Sequence, residues 1–263
     1  MTLLTGARSD AGLVREHNED AYYLGRQIWA VADGIGGEAA GEIASGIVTD
    51  QLRARDTAGP LAPDDLRLLI NDINDAILDH TRREPTTTGM GSTISGIASV
   101  NLDNVPHWSV FNVGDSRVYR YGDGELKRET VDHNEAAELI ETGQLDAAHA
   151  VDDPSRFILT RALGTTPPPQ ADIFLRPQEA DETFLICSDG LTSEVTEDAI
   201  AATLAAYPDP ELAAYQLVEL ALQNGADDNV TAIIVASHHG INTGPAIVID
   251  GENTIPRSSL QEI

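Results

Sequence analysis

Acidic side chains fall where this chain enters or leaves its apolar runs. Asp33 ends the run Ile28-Trp-Ala-Val-Ala-Asp33 and is followed by Gly34. Asp189 follows Phe184-Leu-Ile-Cys-Ser188 and precedes Gly190. Asp228 stands just before a closing apolar run, in Gly225-Ala-Asp-Asp-Asn-Val-Thr231, Asp115 tips Gly114-Asp-Ser116, and Glu19 and Asp20 precede Ala21-Tyr-Tyr-Leu24. Carboxylate oxygens are hard ligands that suit Mg2+ or Mn2+, whereas zinc favours the Cys/His clusters this chain lacks. Any one Asp-Gly pair read alone is a turn former. These six positions belong to a total of 43 acidic residues, and the other carboxylates read as solvated surface charge.

The elements that must position these groups are short. Gln27–Ala32, Ser92–Val100, His107–Val113 and Arg117–Tyr121 read as strands, the last two flanking Gly114-Asp115-Ser116 as a hairpin turn. Glu38–Arg53 and Asp65–Arg82 carry apolar residues at helical spacing: Ile43, Ile47 and Val48 in the first, and Leu66, Leu69, Ile70, Ile73 and Ile77 in the second. The second half repeats the order, with strands at Ala171–Leu175 and Thr183–Cys187, helices at Thr196–Ala206 and Glu211–Gln223, and a buried closing strand at Asn229–Ala236. Strands follow strands and helices come in consecutive pairs. This predicts an α+β fold, an antiparallel β-sandwich of two sheets flanked on each side by a pair of helices. Residues 1–237 read as one domain and 238–263 as a flexible C-terminal tail, beginning at His238 and His239 and holding one apolar run, Ala246-Ile-Val-Ile249.

Composition narrows the function classes. With 43 Asp and Glu against 16 Lys and Arg, the formal charge is −27, which repels nucleic acid and anionic membrane surfaces alike. The 41% hydrophobic content suffices for a core. A single cysteine, Cys187, cannot close an intrachain disulfide. The first ten residues lack a basic stretch followed by an apolar one, so no signal peptide is expected. No run of about 18 apolar residues suggests a membrane span. A soluble cytoplasmic protein is the expectation.

Asp33-Gly-Ile-Gly-Gly-Glu-Ala-Ala40 also fits the G-x-G-x-x-A dinucleotide fingerprint through Gly34, Gly36 and Ala39. That motif needs a second parallel strand ending in an acidic residue about 20 positions later. Here a second helix follows, and Asp33 and Glu38 flank the place a pyrophosphate would take. The glycines read instead as a sharp turn that exposes a carbonyl beside Asp33.

Taken in order, Arg15-Glu-His-Asn-Glu-Asp20, Val31-Ala-Asp-Gly-Ile-Gly-Gly37, Gly89-Met-Gly-Ser-Thr93, Val113-Gly-Asp-Ser-Arg117, Ser188-Asp-Gly190 and Asp228-Asn-Val-Thr231 closely resemble the type-2C (PPM) protein phosphatases over residues 2–237. Asp132-His-Asn134 and Leu159-Thr-Arg-Ala-Leu-Gly164 match landmarks of the bacterial branch. The resemblance implies two Mn2+ or Mg2+ ions about 3.5–4 Å apart, with a bridging water attacking phosphorus in line and no covalent enzyme intermediate. By motif position, Asp33 bridges both ions, the Gly34 carbonyl binds one, and Asp189 and Asp228 complete the other. Glu19 and Asp20 are expected to act at or just outside the ions through water, and Asn229 is expected to lie just outside them. Asp115, with Asp189, matches the position that holds a third, weaker ion. Arg15 matches the phosphate-binding arginine, whose fork pairs with two phosphoryl oxygens.

Two departures from the family pattern stand out. Ile35 occupies the place of a histidine proton donor, so water is expected to protonate the leaving group. Asp227 adds a carboxylate beside Asp228 and reads as surface. The stretch from Asn134 to Arg156, with one helical pattern at Glu135–Glu141, corresponds to a flap bordering the active site. His133 is a landmark whose role does not follow from the residues. The expected partners are phosphorylated proteins, including a Ser/Thr protein kinase and its substrates, met by a monomer. The rival reading is a catalytically silent pseudophosphatase that uses the same fold to bind or sense, which the complete set of metal positions and Arg15 disfavours.

Overall fold

The computed structural model describes residues 2–36, 40–146, 149–150 and 153–238, and the backbone of 247–250 and 253–256. Burial alternating with period two sets the architecture. In β3 (Ile28–Ile35), Ile28, Ala30 and Ala32 join one core while Trp29 and Val31 join another. In β10 (Thr183–Cys187) and β11 (Val230–His238), Leu185, Cys187, Ala232 and Ile234 turn one way and Phe184, Ile186, Ile233 and Val235 the other. Both faces of these strands are buried, so their sequences read as continuous apolar runs.

The middle core lies between two sheets. One is ordered β1-β11-β10-β7-β8, using β1 (Thr2–Asp10), β7 (Arg117–Gly122) and β8 (Glu125–Arg128). The other is ordered β2-β3-β5-β6-β9, using β2 (Asp20–Leu24), β5 (Ile94–Leu102), β6 (Val105–Val113) and β9 (Asp172–Pro177), with the two-residue β4 (Gly91–Ser92) on β3. Every pairing is antiparallel. Trp108 sits edge-on to Trp29 and Phe184, with centroids 6.0 and 5.4 Å away, a geometry that adds about 0.5–1.5 kcal/mol per pair beyond area burial.

Helices cover the outer faces as expected. On the second sheet lie α1 (Ala40–Asp56) and α2 (Pro63–Arg83), burying Val48, Leu52, Leu66, Ile70, Ile73 and Ile77. On the first lie α5 (Glu197–Ala206) and α6 (Pro210–Asn224). The caps explain their limits. Asp209 accepts from the Leu212 N–H at 2.9 Å, Pro210 opens α6 at a position needing no N–H, and Gly225 ends it with φ 106°. A 7-residue α3 (Glu135–Glu141) and a 6-residue α4 (Asp189–Glu194) complete the unit. Beyond β11, the backbones of β12 (Ile247–Asp250) and β13 (Asn253–Pro256) pair with each other. Among the described residues no helix is long and apolar enough to cross a membrane.

Several expectations change. β6 and β7 are not a hairpin: β6 pairs with β5 and β9, β7 with β10 and β8, so Gly114-Asp115-Ser116 carries the chain from one sheet to the other. β3 does not stop at Asp33, because Gly34 and Ile35 pair with Ser92 and Gly91. α1 continues to Asp56, whose carboxylate accepts from the Arg26 and Gln27 N–H groups and the Tyr23 hydroxyl, anchoring the helix end to the β2–β3 turn. The expected helix start at Glu38, the fingerprint residue Ala39, His239 and Ala246 lie outside the described residues. β1, β8 and α4, and the paired β12 and β13, are elements the sequence pattern does not announce.

Candidate active site

The aspartates gather at one mouth of the sandwich because every motif ends there. Asp20 and Asp33 face each other directly across β2 and β3. Asp189 opens α4 immediately after β10, Asp228 precedes β11, and Asp115 sits on the turn that crosses between the sheets. Glycine permits close approach: a Cβ on Gly34 would lie 2.1 Å from the Gly41 carbonyl oxygen. A Cβ on Gly41 would in turn lie 2.8 Å from both Glu19 Oε1 and the Gly34 carbonyl oxygen, so two oxygens converge on the gap that glycine leaves.

Hydroxyls and amides hold the residues that bear the carboxylates. Asp20 Oδ2 accepts from Ser188 Oγ at 2.7 Å and Thr231 Oγ1 at 2.6 Å, joining β2 of one sheet to β10 and β11 of the other. Asp33's own N–H donates to Thr93 Oγ1 at 3.0 Å, and that hydroxyl pairs with Ser116 Oγ at 2.8 Å, next to Asp115. Asn229 accepts from the Glu19 N–H at 2.7 Å while its amide donates to the Ala11 and His17 carbonyls, fixing the loop that carries Arg15 and Glu19. Arg15 Nη2 lies 2.9 Å from Asp228 Oδ2, with both side chains part-exposed. Arg15, Asp189 and Asp228 line a cleft of about 420 Å³, together with Val14, Arg156, Phe157, Ser193, Glu194 and Asp227.

The electrostatics are those of an uncompensated carboxylate cluster. Burial pushes Asp20 up to about 7, helped by the charges of Asp189 and Asp228 and opposed by the two hydroxyls. Burial pushes Asp189 up to about 6, with Asp228 adding and Arg117 and Arg156 opposing. Asp33 and Asp115 are driven well above the carboxylate range, by burial first and then by neighbouring aspartates. Glu19 is raised by burial against the pull of Arg15.

These residues fit divalent cations. Asp20 Oδ1 is buried without a hydrogen-bond partner, the donor set is all oxygen, and mutual repulsion is what bound cations would relieve. Among the described residues no three His, Cys, Asp or Glu side chains form a ready-made cage. An open arrangement suits Mg2+, which keeps several waters and takes only one or two carboxylates. Cys187 offers no rival chemistry: fully buried, its thiol is pushed up to about 12 and stays protonated.

All the sequence-predicted site residues lie at this mouth. Asp33 and Asp189 stand out as Asp-Gly after an apolar run, Asp20 and Asp228 as acidic residues at the entry to one, and Asp115 as the tip of a Gly-Asp-Ser turn. Ser188, Thr231, Thr93 and Ser116 were passed over although each lies inside a motif, since hydroxyl residues are too common to stand out. Glu194 and Phe157 had no signal, whereas Arg156 closes the stretch expected to border the site.

Comparison with known proteins agrees. The sequence profile of the family described as Protein phosphatase 2C matches residues 13–221. The serine/threonine protein phosphatase PstP of Mycobacterium tuberculosis is 37% identical over 240 residues, covering 89% of this chain. The match covers 45% of that relative, so the chain spans about half its length. The serine/threonine phosphatase stp of Listeria monocytogenes is 32% identical over 239 residues, covering 87% of this chain and 93% of the relative. The crystal structure of the PstP catalytic domain in complex with two manganese ions superposes with a TM-score of 0.82 at 34% identity, covering 90% of this chain and 99% of that one. With its layered fold and its carboxylates gathered at one end, the chain belongs to the protein phosphatase 2C family.

Proposed function

We propose that this chain is a metal-dependent phosphatase that hydrolyses phosphoserine and phosphothreonine in proteins. The observation that carries the reading is the convergence of Asp20, Asp33, Asp115 and Asp189, raised in pKa by burial and by neighbouring carboxylates, on Asp228 and the cationic fork of Arg15 that pairs with it. Asp33, the Gly34 carbonyl, Asp189 and Asp228 would hold two Mn2+ or Mg2+ ions. Glu19 and Asp20 would act through water, and Asp115 with Asp189 would take a third, weaker ion. Such a pair of ions supplies a water acidic enough to attack phosphorus and charge to neutralise the phosphoryl oxygens.

The chain's own residues do the rest. Arg15 now serves as counter-charge to Asp228, and a phosphoryl dianion entering the cleft would compete for the same fork. Asn229 keeps that arginine's loop in register with Asp228. Val14 and Phe157 give the cleft apolar walls on which the peptide around the phosphorylated residue can lie. The partners on this reading are phosphoproteins in the cytoplasm, including a Ser/Thr kinase and its substrates, met by a monomeric enzyme. The test is hydrolysis of para-nitrophenyl phosphate and of a phosphothreonine peptide by chelated protein, before and after Mn2+ is restored. Turnover that survives demonstrable removal of metal would sink the mechanism.

Arg15 gives a separable prediction. If its charge-assisted contact with the phosphoryl group is worth about 1.5–3 kcal/mol, Arg15→Ala will lower kcat/KM roughly ten- to a hundred-fold. Lysine keeps the charge without the fork, so Arg15→Lys will recover only part of the loss. An exposed pair contributes about 0.2–1 kcal/mol, so loss of the Asp228 contact will change Mn2+ affinity by no more than about fivefold. Calorimetric titration beside steady-state kinetics measures both. Wild-type kinetics, or collapse of metal binding, would mean that Arg15 has another role.

We further propose that the catalytic unit closes with β11. Ser237 is buried near the end of that strand, its Oγ accepting from the Glu182 N–H at 3.0 Å. Deleting 240–263 should therefore move the melting temperature by less than about 4 °C, on the order of one to two kcal/mol for a domain this large. A larger drop would place 240–263 within the folded unit.

A further inference from the structure

His133 is 4% exposed and belongs to no part of the reaction described above. It grips Gly114, the residue before Asp115, from two sides. The Gly114 N–H donates to His133 Nδ1 at 3.1 Å, and the His133 N–H donates to the Gly114 carbonyl at 2.9 Å. The same carbonyl also accepts from Asn112 Nδ2 at 3.1 Å. Gly114 has φ +110°, and a Cβ there would lie 2.6 Å from Thr93 Cγ2, so this turn admits only glycine.

The far side of the imidazole is fixed as well. Nδ1 accepts a hydrogen bond, so the ring proton sits on Nε2, which lies 3.2 Å from Asp172 Oδ2. Asp172 in turn accepts from Arg161 Nη1 at 2.9 Å. The His133 carbonyl accepts from the Thr160 N–H at 2.9 Å, and Asn134 bridges to Leu159. The chain that pairs there continues directly from Arg156 and Phe157 in the cleft wall.

We propose that His133 is a positioning residue that aims Asp115, its ring holding the Gly114 N–H while its backbone N–H holds the Gly114 carbonyl. On the other side of the turn, Ser116 is held by Thr93 and by Ser95, which donates to the Ser116 carbonyl at 2.7 Å. Asp115 is thereby held on both flanks, within electrostatic reach of Asp33 and Asp189. The inference rests on the phosphatase reading, in which Asp115 and Asp189 take the weakest ion. Residues that orient ligands without touching the metal typically change its affinity about 10–100-fold when replaced.

Two substitutions of the same ring separate the role from simple packing. In His133→Asn the side-chain oxygen can stand where Nδ1 stands and still accept from Gly114. In His133→Gln the longer amide reaches toward Asp172 and leaves the Gly114 N–H without its acceptor, while the backbone bond to the Gly114 carbonyl stays. Mn2+ titrations of the chelated full-length protein, followed by calorimetry and by the paramagnetic resonance of free Mn2+, should show the weakest ion bound about tenfold or more loosely in His133→Gln. His133→Asn should stay near wild type, and the two tighter ions should be unmoved in both. Isotherms that overlay for wild type and His133→Gln would overturn the assignment. So would equal weakening of every ion, equal behaviour of the two variants, or a wild-type protein that binds two ions and no third. A wild-type protein that binds no Mn2+ would instead bring down the phosphatase reading beneath it.

Discussion

Asparagine at position 33 will remove essentially all Mn2+-dependent turnover while raising the melting temperature of the chelated protein. The two effects share one cause. Asp33 is held among Asp20, Asp189, Asp115 and Asp228, each of which makes its charge harder to carry. Asparagine has the same shape and none of the charge, so in the absence of metal it relieves the cluster. A gain of about 1 kcal/mol would appear as roughly 2–4 °C in a domain of this size. On the proposed reading Asp33 would be a ligand of both ions, and loss of a single transition-state electrostatic contact already costs about a hundred- to a thousand-fold. Turnover should therefore fall by about a thousandfold or more. Activity bought at the expense of stability is the usual condition of such sites. Measured side by side, wild-type and Asp33→Asn protein give both numbers. A variant retaining a tenth of wild-type kcat/KM would remove Asp33 from the centre of the mechanism, and a lower melting temperature in chelator would show that its charge is not strained.

How much of this could be read from residues alone depends on whether the signal was local. α2 and β3 were legible because Leu66, Leu69, Ile70, Ile73 and Ile77 keep helical spacing and Ile28–Ala32 is apolar throughout. β1 was not, because Gly6 looks like a breaker. In the fold it is what lets α6 approach, since a Cβ there would lie 2.3 Å from the Glu211 nitrogen. β1 also pairs only with β11, at the far end of the sequence. The Gly114-Asp115-Ser116 turn was misread for the same reason: its local chemistry suits a hairpin, and only the partners of β7 reveal a crossing between sheets.

The site divides in the same way. Its carboxylates are local signals, each beside a glycine or at the edge of an apolar run. What holds these residues is distant in sequence: Thr231 and Ser188 on the Asp20 carboxylate, Thr93 on the Asp33 N–H, Asn229 on the Glu19 N–H. The pairing of Arg15 with Asp228 could not be read at all, because nothing in the sequence says which carboxylate a half-exposed guanidinium meets. A motif thus picks out the carboxylates, and the fold supplies the restraints that bring them together.

Those restraints make a second large effect measurable, in the pH dependence of the chelated protein. Asp20 titrates at about 7 and Asp189 at about 6 in the folded chain, against 3.8 for an ordinary aspartate, and Asp33 and Asp115 move in the same direction. Between the unfolded and folded values the folded chain binds more protons, so stability falls as pH rises through that window. The chelated protein should melt higher at pH 5 than at pH 8, by on the order of 5–10 °C for a few kcal/mol in a domain this large. Carboxylates such as Asp65, whose pKa is lowered by the Ala62 N–H and by Arg55, act below 3.8 and leave the window untouched. Saturating Mn2+ should flatten the slope, because cations replace protons as the compensating charge, and each site filled at a hundred times its Kd adds about 2.7 kcal/mol at pH 8. The general repulsion of a chain with net charge −27 would act in the same direction, and Asp20→Asn separates the two. If the cluster is responsible, removing this one buried carboxylate should visibly shrink the pH 5 to pH 8 difference. An unchanged slope in Asp20→Asn, or a wild-type protein that melts higher at pH 8 than at pH 5 in chelator, would show that the buried aspartates do not carry the strain assigned to them.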